Sequence, residues 1–152
     1  MKKVTSILIL FSALSFATQN IVVAELFTET WWVYCPDARD GLQQLYENVP
    51  NFIPLYWEGD GAHPSPNYGG RASFYGVGGI PHVQFGGYIE VVGGGGDMYP
   101  NYLSKYNMLE NDDSPLSIIQ TVNVAGGNII MQANVTVTDD ITTSNNKILF
   151  LT

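Results

Sequence analysis

TETWWVYCPDA, residues 28–38, is the stretch that decides how this chain folds. The apolar run before it, IVVAELF (residues 21–27), has the length and continuity of one buried strand. After it, apolar residues recur at helical spacing from Ala38 to Val49, and Pro36 suits the first turn of a helix. The stretch is therefore predicted to be a loop between a buried strand and an amphipathic helix. Cys35, the only cysteine of the 152 residues, lies where that helix begins.

The N-terminus has the pattern of a cleavable secretory signal. Lys2 and Lys3 precede the apolar stretch Val4–Phe16, and Ser15-Phe16-Ala17 has the small-x-small form of a cleavage site. A membrane anchor is the alternative, but the apolar run is shorter than the ~20 residues of a spanning helix. We therefore predict that residues 1–17 are a signal peptide, of bacterial type, and that the protein is secreted: periplasmic, associated with the outer membrane, or extracellular.

The charge of the chain excludes one class of partner. Without the signal, four basic side chains remain against 14 acidic ones. Nucleic-acid binding draws most of its affinity from basic side chains on phosphates, so we expect no nucleic-acid partner. No later segment is apolar enough to span a membrane, so none is expected to be transmembrane. A lone cysteine in an exported protein is a buried small side chain, a free thiol or an intermolecular cross-link.

The middle of the chain continues a small α/β layer. Phe52–Trp57 is predicted to be a strand, and Pro54, which has no N–H to donate, places it at a sheet edge. Arg71–Tyr75 has the length of a helical turn. Pro81–Phe85 and Tyr88–Val92 are predicted to form a hairpin through two glycines.

A last helix completes the order strand-helix-strand, strand-strand-helix. Asp97 is the candidate cap. The apolar side of this helix carries Tyr99, Tyr102, Leu103 and Tyr106.

Beyond a linker at residues 111–115 the pattern changes to strict alternation, which is typical of a half-buried antiparallel strand. Leu116–Ala125 and Ile129–Val137 are predicted to pair, and Lys147–Thr152 begins a third strand. Three strands with no covering layer are marginal as an independent unit. We therefore interpret residues 114–152 as the start of a truncated β-sandwich, with packing of this arm on the first domain as the alternative.

Three features together resemble the thioredoxin superfamily over roughly residues 20–110. Thr28–Pro36 is similar to the T-x-T-W-C-x-x-C-P form of its active-site loop. Arg71–Pro81 is similar to its R-x-x-Y-G-V-x-G-I-P, in which the proline is cis and faces that loop. Phe85-Gly86-Gly87 is similar to its following hairpin. The resemblance implies an α/β, thioredoxin-like fold over residues 18–113, followed by an incomplete all-β antiparallel segment.

Within that superfamily, the chain resembles secreted bacterial outer-membrane proteins that carry a thioredoxin domain and then an immunoglobulin-like β-sandwich. Ser114–Ile118 is similar to their junction between the two domains. This resemblance implies that residues 114–152 are the start of an immunoglobulin-like domain, so that the chain is a fragment of a longer polypeptide.

One departure from the family pattern bears on function. Trp32 stands where the resemblance would place the first cysteine, whose thiolate is the nucleophile. Cys35 takes the resolving position, which attacks only after the first cysteine has formed a mixed disulfide. We therefore predict a degenerate, redox-inactive site, with Cys35 buried behind the helix start and no cofactor. The alternative is a thiol-disulfide oxidoreductase that works through Cys35 alone or with His82.

The same resemblance implies a groove beside the cis-proline in which an extended peptide or protein segment binds by strand addition. Its binding residues here are Trp31, Tyr34, Ile80, Pro81 and His82. The protein is then a binding or structural module of a cell-surface protein. In the alternative, the two tryptophans simply fill the vacated redox site.

Two further groups of side chains are candidate sites. His82 is expected to be a partly exposed loop histidine rather than the partner of a nucleophilic cysteine, because no third residue is available to orient it. Glu58, Asp60 and His63 lack dependable metal-ligand spacing, so we predict a solvated acidic loop and no metal site.

Overall fold

The computed structural model of the chain describes residues 21–142. The predicted signal peptide (residues 1–17) and the predicted third strand of the arm (residues 147–152) lie outside the described residues.

The first half forms a strand-helix-strand unit. Strand β1 (Val22–Thr28) leads through the loop to helix α1 (Cys35–Asn48), and β2 (Phe52–Glu58) returns parallel to β1. A parallel pair requires such a crossover, and a helix is its usual form. Strand β2 is the edge of the sheet, as Pro54 predicted.

The second half adds helix α2 (Tyr68–Tyr75), strands β3 (His82–Phe85) and β4 (Ile89–Val92), and helix α3 (Tyr99–Leu109). Helix α2 is longer than the single turn predicted from the sequence. The sheet has the order β2-β1-β3-β4, with β3 antiparallel to both β1 and β4.

The predicted hairpin between β3 and β4 is confirmed. Gly86 and Gly87 have φ of 57° and 82°, the left-handed conformations that a two-residue turn requires. Asp97 lies one residue before the helix cap Met98, and its carboxylate accepts a hydrogen bond from the Tyr99 N–H. The predicted α/β fold of thioredoxin type is therefore confirmed by the strand order and by the helices of the two units.

The two faces of the sheet have different roles. Alternate residues of a strand point to opposite faces, so the register assigns each side chain. Ala24, Leu26, Val83 and Phe85 face α1 and α3 and form the apolar core with Leu42, Leu45, Tyr102 and Tyr106. Glu25, Phe27, His82 and Gln84 lie on the other face, where Tyr68 and Tyr75 of α2 pack edge-on against Phe27.

The arm forms a separate two-stranded antiparallel sheet of β5 (Leu116–Ala125) and β6 (Asn128–Val137). Both strands were predicted. Apolar side chains that alternate onto one face, such as Ile118, Val124 and Ile129, are each at least 60% exposed, so this face has no covering layer within residues 21–142. Within residues 21–142, no helix is long and apolar enough to cross a membrane.

Candidate functional site

Cys35 is the first residue of α1 and is 2% exposed. Its N–H donates a hydrogen bond to the carbonyl of Trp32, which closes the loop tightly before the helix begins. Burial raises the pKa of Tyr102 in α3, and the nearby Cys35 adds to that shift. Cys35 is therefore a buried free thiol at the start of α1.

Three aromatic side chains of the loop form a continuous surface cluster. Trp31, Trp32 and Tyr34 are 64%, 37% and 44% exposed. Trp32 packs edge-on against both of its neighbours, with ring centroids 5.4 Å from Trp31 and 5.9 Å from Tyr34. We call these three residues the aromatic surface. Both indoles reach the surface of the molecule, Trp31 more than Trp32.

The Ile80–Pro81 peptide bond is cis, as the resemblance implied. The glycine-rich segment after β4 lies against it. A Cβ built on Gly94 would stand 2.8 Å from the carbonyl oxygen of Tyr34 and 3.1 Å from Cγ of Pro81. Only glycine allows so close an approach, and this packing joins the cis-proline turn to the aromatic surface.

The backbone of Ile80 stands at the end of the ladder between β1 and β3. Within the described part of the chain, neither its N–H nor its C=O makes a hydrogen bond, whereas the carbonyl of Pro81 accepts one from the Gly93 N–H. Unpaired backbone groups at a strand end are the groups to which an added extended segment binds.

His82 is 1% exposed and begins β3, so the expectation of a partly exposed loop histidine was wrong. It pairs with Phe27 in the ladder and therefore lies on the face that α2 covers. Its Nε2 lies 3.1 Å from Oε1 of Gln84, and Nδ1 has no partner in the described residues. No hydrogen bond joins either ring nitrogen to Cys35, so the pair required by the alternative mechanism is not formed.

The five predicted binding residues do not all reach the surface. Trp31 and Tyr34 are exposed and Ile80 is half-buried, but Pro81 and His82 are less than 2% exposed.

The carboxylates of the acidic loop, Glu58 and Asp60, bind other side chains and backbone groups of the domain. Asp60 accepts hydrogen bonds from Thr30 N at 2.7 Å and Thr30 Oγ1 at 2.8 Å, and Glu58 forms an ion pair with Arg39 at 2.5 Å. Over residues 21–142, no group of three or more histidine, cysteine, aspartate or glutamate side chains is arranged to hold a metal ion.

The sequence reasoning missed a buried polar network centred on Glu25 of β1. Its carboxylate accepts two hydrogen bonds from Arg71, at 2.6 and 2.8 Å, and one each from Tyr75 Oη and Trp57 Nε1. Burial alone would raise the pKa of Glu25, but the hydrogen bonds from Arg71, Tyr75 and Trp57 outweigh it and lower that pKa. A charged residue inside an otherwise apolar strand was the available signal.

A scan against protein-family models matches none of them, and a search of curated proteins finds no significant match. Among solved structures, thioredoxin O2 from Arabidopsis thaliana in the oxidized state is similar to this chain. The two are 20% identical, the similarity covers 60% of this chain and 77% of that chain, and the TM-score is 0.47. This likeness concerns the fold.

Proposed function

We propose that this thioredoxin-like domain has lost dithiol chemistry and acts as a binding or structural module, with an extended polypeptide as its ligand. The observation that carries the proposal is the juxtaposition of the exposed aromatic surface and the unpaired backbone of Ile80. Gly94 contacts both Tyr34 and Pro81, so the two features adjoin.

The loss of chemistry rests on the position of the one thiol. Disulfide exchange begins when an accessible thiolate attacks a disulfide sulfur. Cys35 is the only cysteine in the chain and is buried, while Trp32 occupies the position in the loop where the resemblance would place the nucleophile. Without a second thiol, the chain has no partner with which to form and release an internal disulfide.

The binding role rests on two kinds of contact. The N–H and C=O of Ile80 make no hydrogen bond within residues 21–142, and we propose that they pair with an extended segment, as in strand addition. Exposed tryptophan and tyrosine rings supply large contact area at low conformational-entropy cost, which is why such residues dominate binding surfaces. The ligand would thus be held by its backbone at Ile80 and by its side chains at the aromatic surface.

Photo-crosslinking of a benzophenone-labelled decapeptide to the full chain tests this role. We expect the yield of crosslinked protein to fall strongly in the Trp32→Ala variant. It should be unchanged in Tyr46→Ala, which removes an exposed ring from the outer side of α1. Equal yields from the Trp32→Ala variant and the parent chain would contradict the proposal.

Thiol accessibility separates the proposal from the oxidoreductase alternative. An aromatic disulfide reagent should modify native Cys35 slowly and react quickly once denaturant unfolds the chain, because the side chain is 2% exposed. Rapid modification of Cys35 in the native protein would favour the thiol-disulfide oxidoreductase alternative.

We also propose that the protein is exported and that residues 114–152 belong to a separate immunoglobulin-like unit of a cell-surface protein. The pattern of Lys2, Lys3 and Val4–Phe16 supports export. The separate pairing of β5 with β6 supports the division after residue 113.

A further inference from the structure

Three carboxylates border the aromatic surface. Glu29 accepts a hydrogen bond from the indole Nε1 of Trp31. Asp60 binds the backbone and hydroxyl of Thr30, the residue before Trp31. On the other side, Asp37 accepts a hydrogen bond from the Gly96 N–H at 2.9 Å, next to the glycine that packs on the Tyr34 ring.

None of these carboxylates is neutralised by a basic side chain of the described residues. Their donors are an indole, backbone amides and a hydroxyl, all uncharged. The two arginines of residues 21–142 are engaged elsewhere, Arg39 with Glu58 and Arg71 with Glu25. Within residues 21–142, the aromatic surface is therefore bordered by three carboxylates that have no basic ion-pair partner, which favours a cationic ligand.

We propose that the polypeptide bound at the aromatic surface is basic, with lysine or arginine side chains on the same face as aromatic or apolar ones. The inference rests on the proposed function, whose binding site it shares. Exposed indole and phenol faces attract ammonium and guanidinium groups, and neighbouring carboxylates strengthen that attraction. An acidic segment would meet like charges at Glu29, Asp37 and Asp60, and a neutral one would gain nothing from them.

The strand geometry sets the spacing of the basic residues. Side chains of an extended segment alternate between its two faces, so every second residue of a ligand paired with Ile80 faces the domain. A run in which basic and aromatic residues share those alternate positions places cations over the rings and beside the carboxylates.

Three synthetic decapeptides test the inference against the full chain: TKTYTKTYTK, TQTYTQTYTQ and TETYTETYTE. Fluorescence anisotropy of the labelled peptides gives each affinity. We expect the lysine peptide to bind at least about tenfold more tightly than the glutamine peptide at low salt, and the glutamate peptide to bind most weakly. The preference should shrink as salt rises from about 0.05 M to about 0.5 M, because charges near the surface are screened.

Two triple variants distinguish a local effect from the acidity of the whole chain. Glu29→Gln/Asp37→Asn/Asp60→Asn should abolish the preference for lysine. Glu47→Gln/Asp139→Asn/Asp140→Asn changes the net charge equally at sites away from the aromatic surface and should keep it. Equal loss of preference in both variants would overturn the inference.

The peptide series also separates this inference from the function on which it rests. Equal binding of the lysine and glutamine peptides, reduced in each case by Trp32→Ala, would overturn the inference and leave a peptide-binding site. Failure of all three peptides to bind would overturn both.

Discussion

Glu25 carries a carboxylate in the central strand of the sheet, where the residue is 5% exposed. The sequence predicted that strand to be buried but gave no sign of the charge partner, because Arg71 lies 46 residues away along the chain. Pairing across such a separation is decided by the packing of α2 against the sheet rather than by any local pattern. The burial of His82 was missed for the same reason. His82 lies beside a turn, and its local sequence does not indicate which face of the sheet its side chain occupies.

Replacing Glu25 by glutamine should destabilise the domain by about 3 kcal/mol, because it leaves the Arg71 guanidinium without its counter-charge in a poorly hydrated position. Glu58→Gln is the matched control. It removes the ion pair with Arg39, whose side chain is 43% exposed, and should cost less than about 1 kcal/mol. Urea unfolding measures both, and equal losses would contradict the structural account of the network.

The lowered pKa of Glu25 predicts that the folded domain loses stability in acid. The pKa of Glu25 is below its ordinary value of 4.5 in the folded protein, so its contribution is fully present above pH 4.5. It is lost progressively as the pH falls through the lower, folded-state pKa. Unfolding free energies measured from pH 6 downwards should therefore fall less steeply in Glu25→Gln than in the parent chain. Parallel slopes would show that Glu25 titrates alike in the folded and unfolded states.

Helices α1 and α3 pack closely on one face of the sheet, and a single glycine sets their separation. The sequence predicted both helices from their apolar periodicity, and in that pattern Gly41 is only a poor helix former. A Cβ built there would stand 2.8 Å from Cβ of Met98 and 3.0 Å from the Tyr102 ring. Apolar periodicity belongs to a single helix and can be read from its sequence. The close approach of two helices depends on both of them, so the sequence of one helix does not predict it.

Gly41→Ala should therefore lower stability by at least about 1 kcal/mol, although alanine is intrinsically the better helix former. Gly69→Ala in α2 is the control. Nothing lies within 4 Å of its Cβ position, so it should be neutral or stabilise by about 0.5 kcal/mol. Thermal unfolding of the two variants measures the difference, and a stabilised Gly41→Ala would contradict the packing described for α1 and α3.

The whole molecule divides between an α/β layer with a closed core and an arm whose apolar side chains are exposed. The order of elements in the layer was predictable, because each strand, helix and turn left a local pattern and both Thr28–Pro36 and Arg71–Pro81 resemble motifs of a known family. Whether another layer covers the arm was not predictable from β5 and β6 themselves. Alternation predicts that one face is to be buried but does not identify what buries it.

Limited proteolysis should show this division. An isolated two-stranded hairpin is at most marginally stable, so β5 and β6 should open locally and be cut first. The expected product is a stable fragment ending near residue 113, identified by mass spectrometry. Full protection of the arm over the same time would contradict the proposed boundary.

The proposed loss of dithiol chemistry is tested most directly by multiple-turnover reduction of insulin disulfides with dithiothreitol as the electron source. The parent chain is compared with Trp32→Cys, which supplies a second thiol, and with Trp32→Ala, which removes the indole without adding one. The account predicts that the parent chain and Trp32→Ala stay at the uncatalysed rate and that only Trp32→Cys exceeds it. A parent chain as fast as Trp32→Cys would contradict the account.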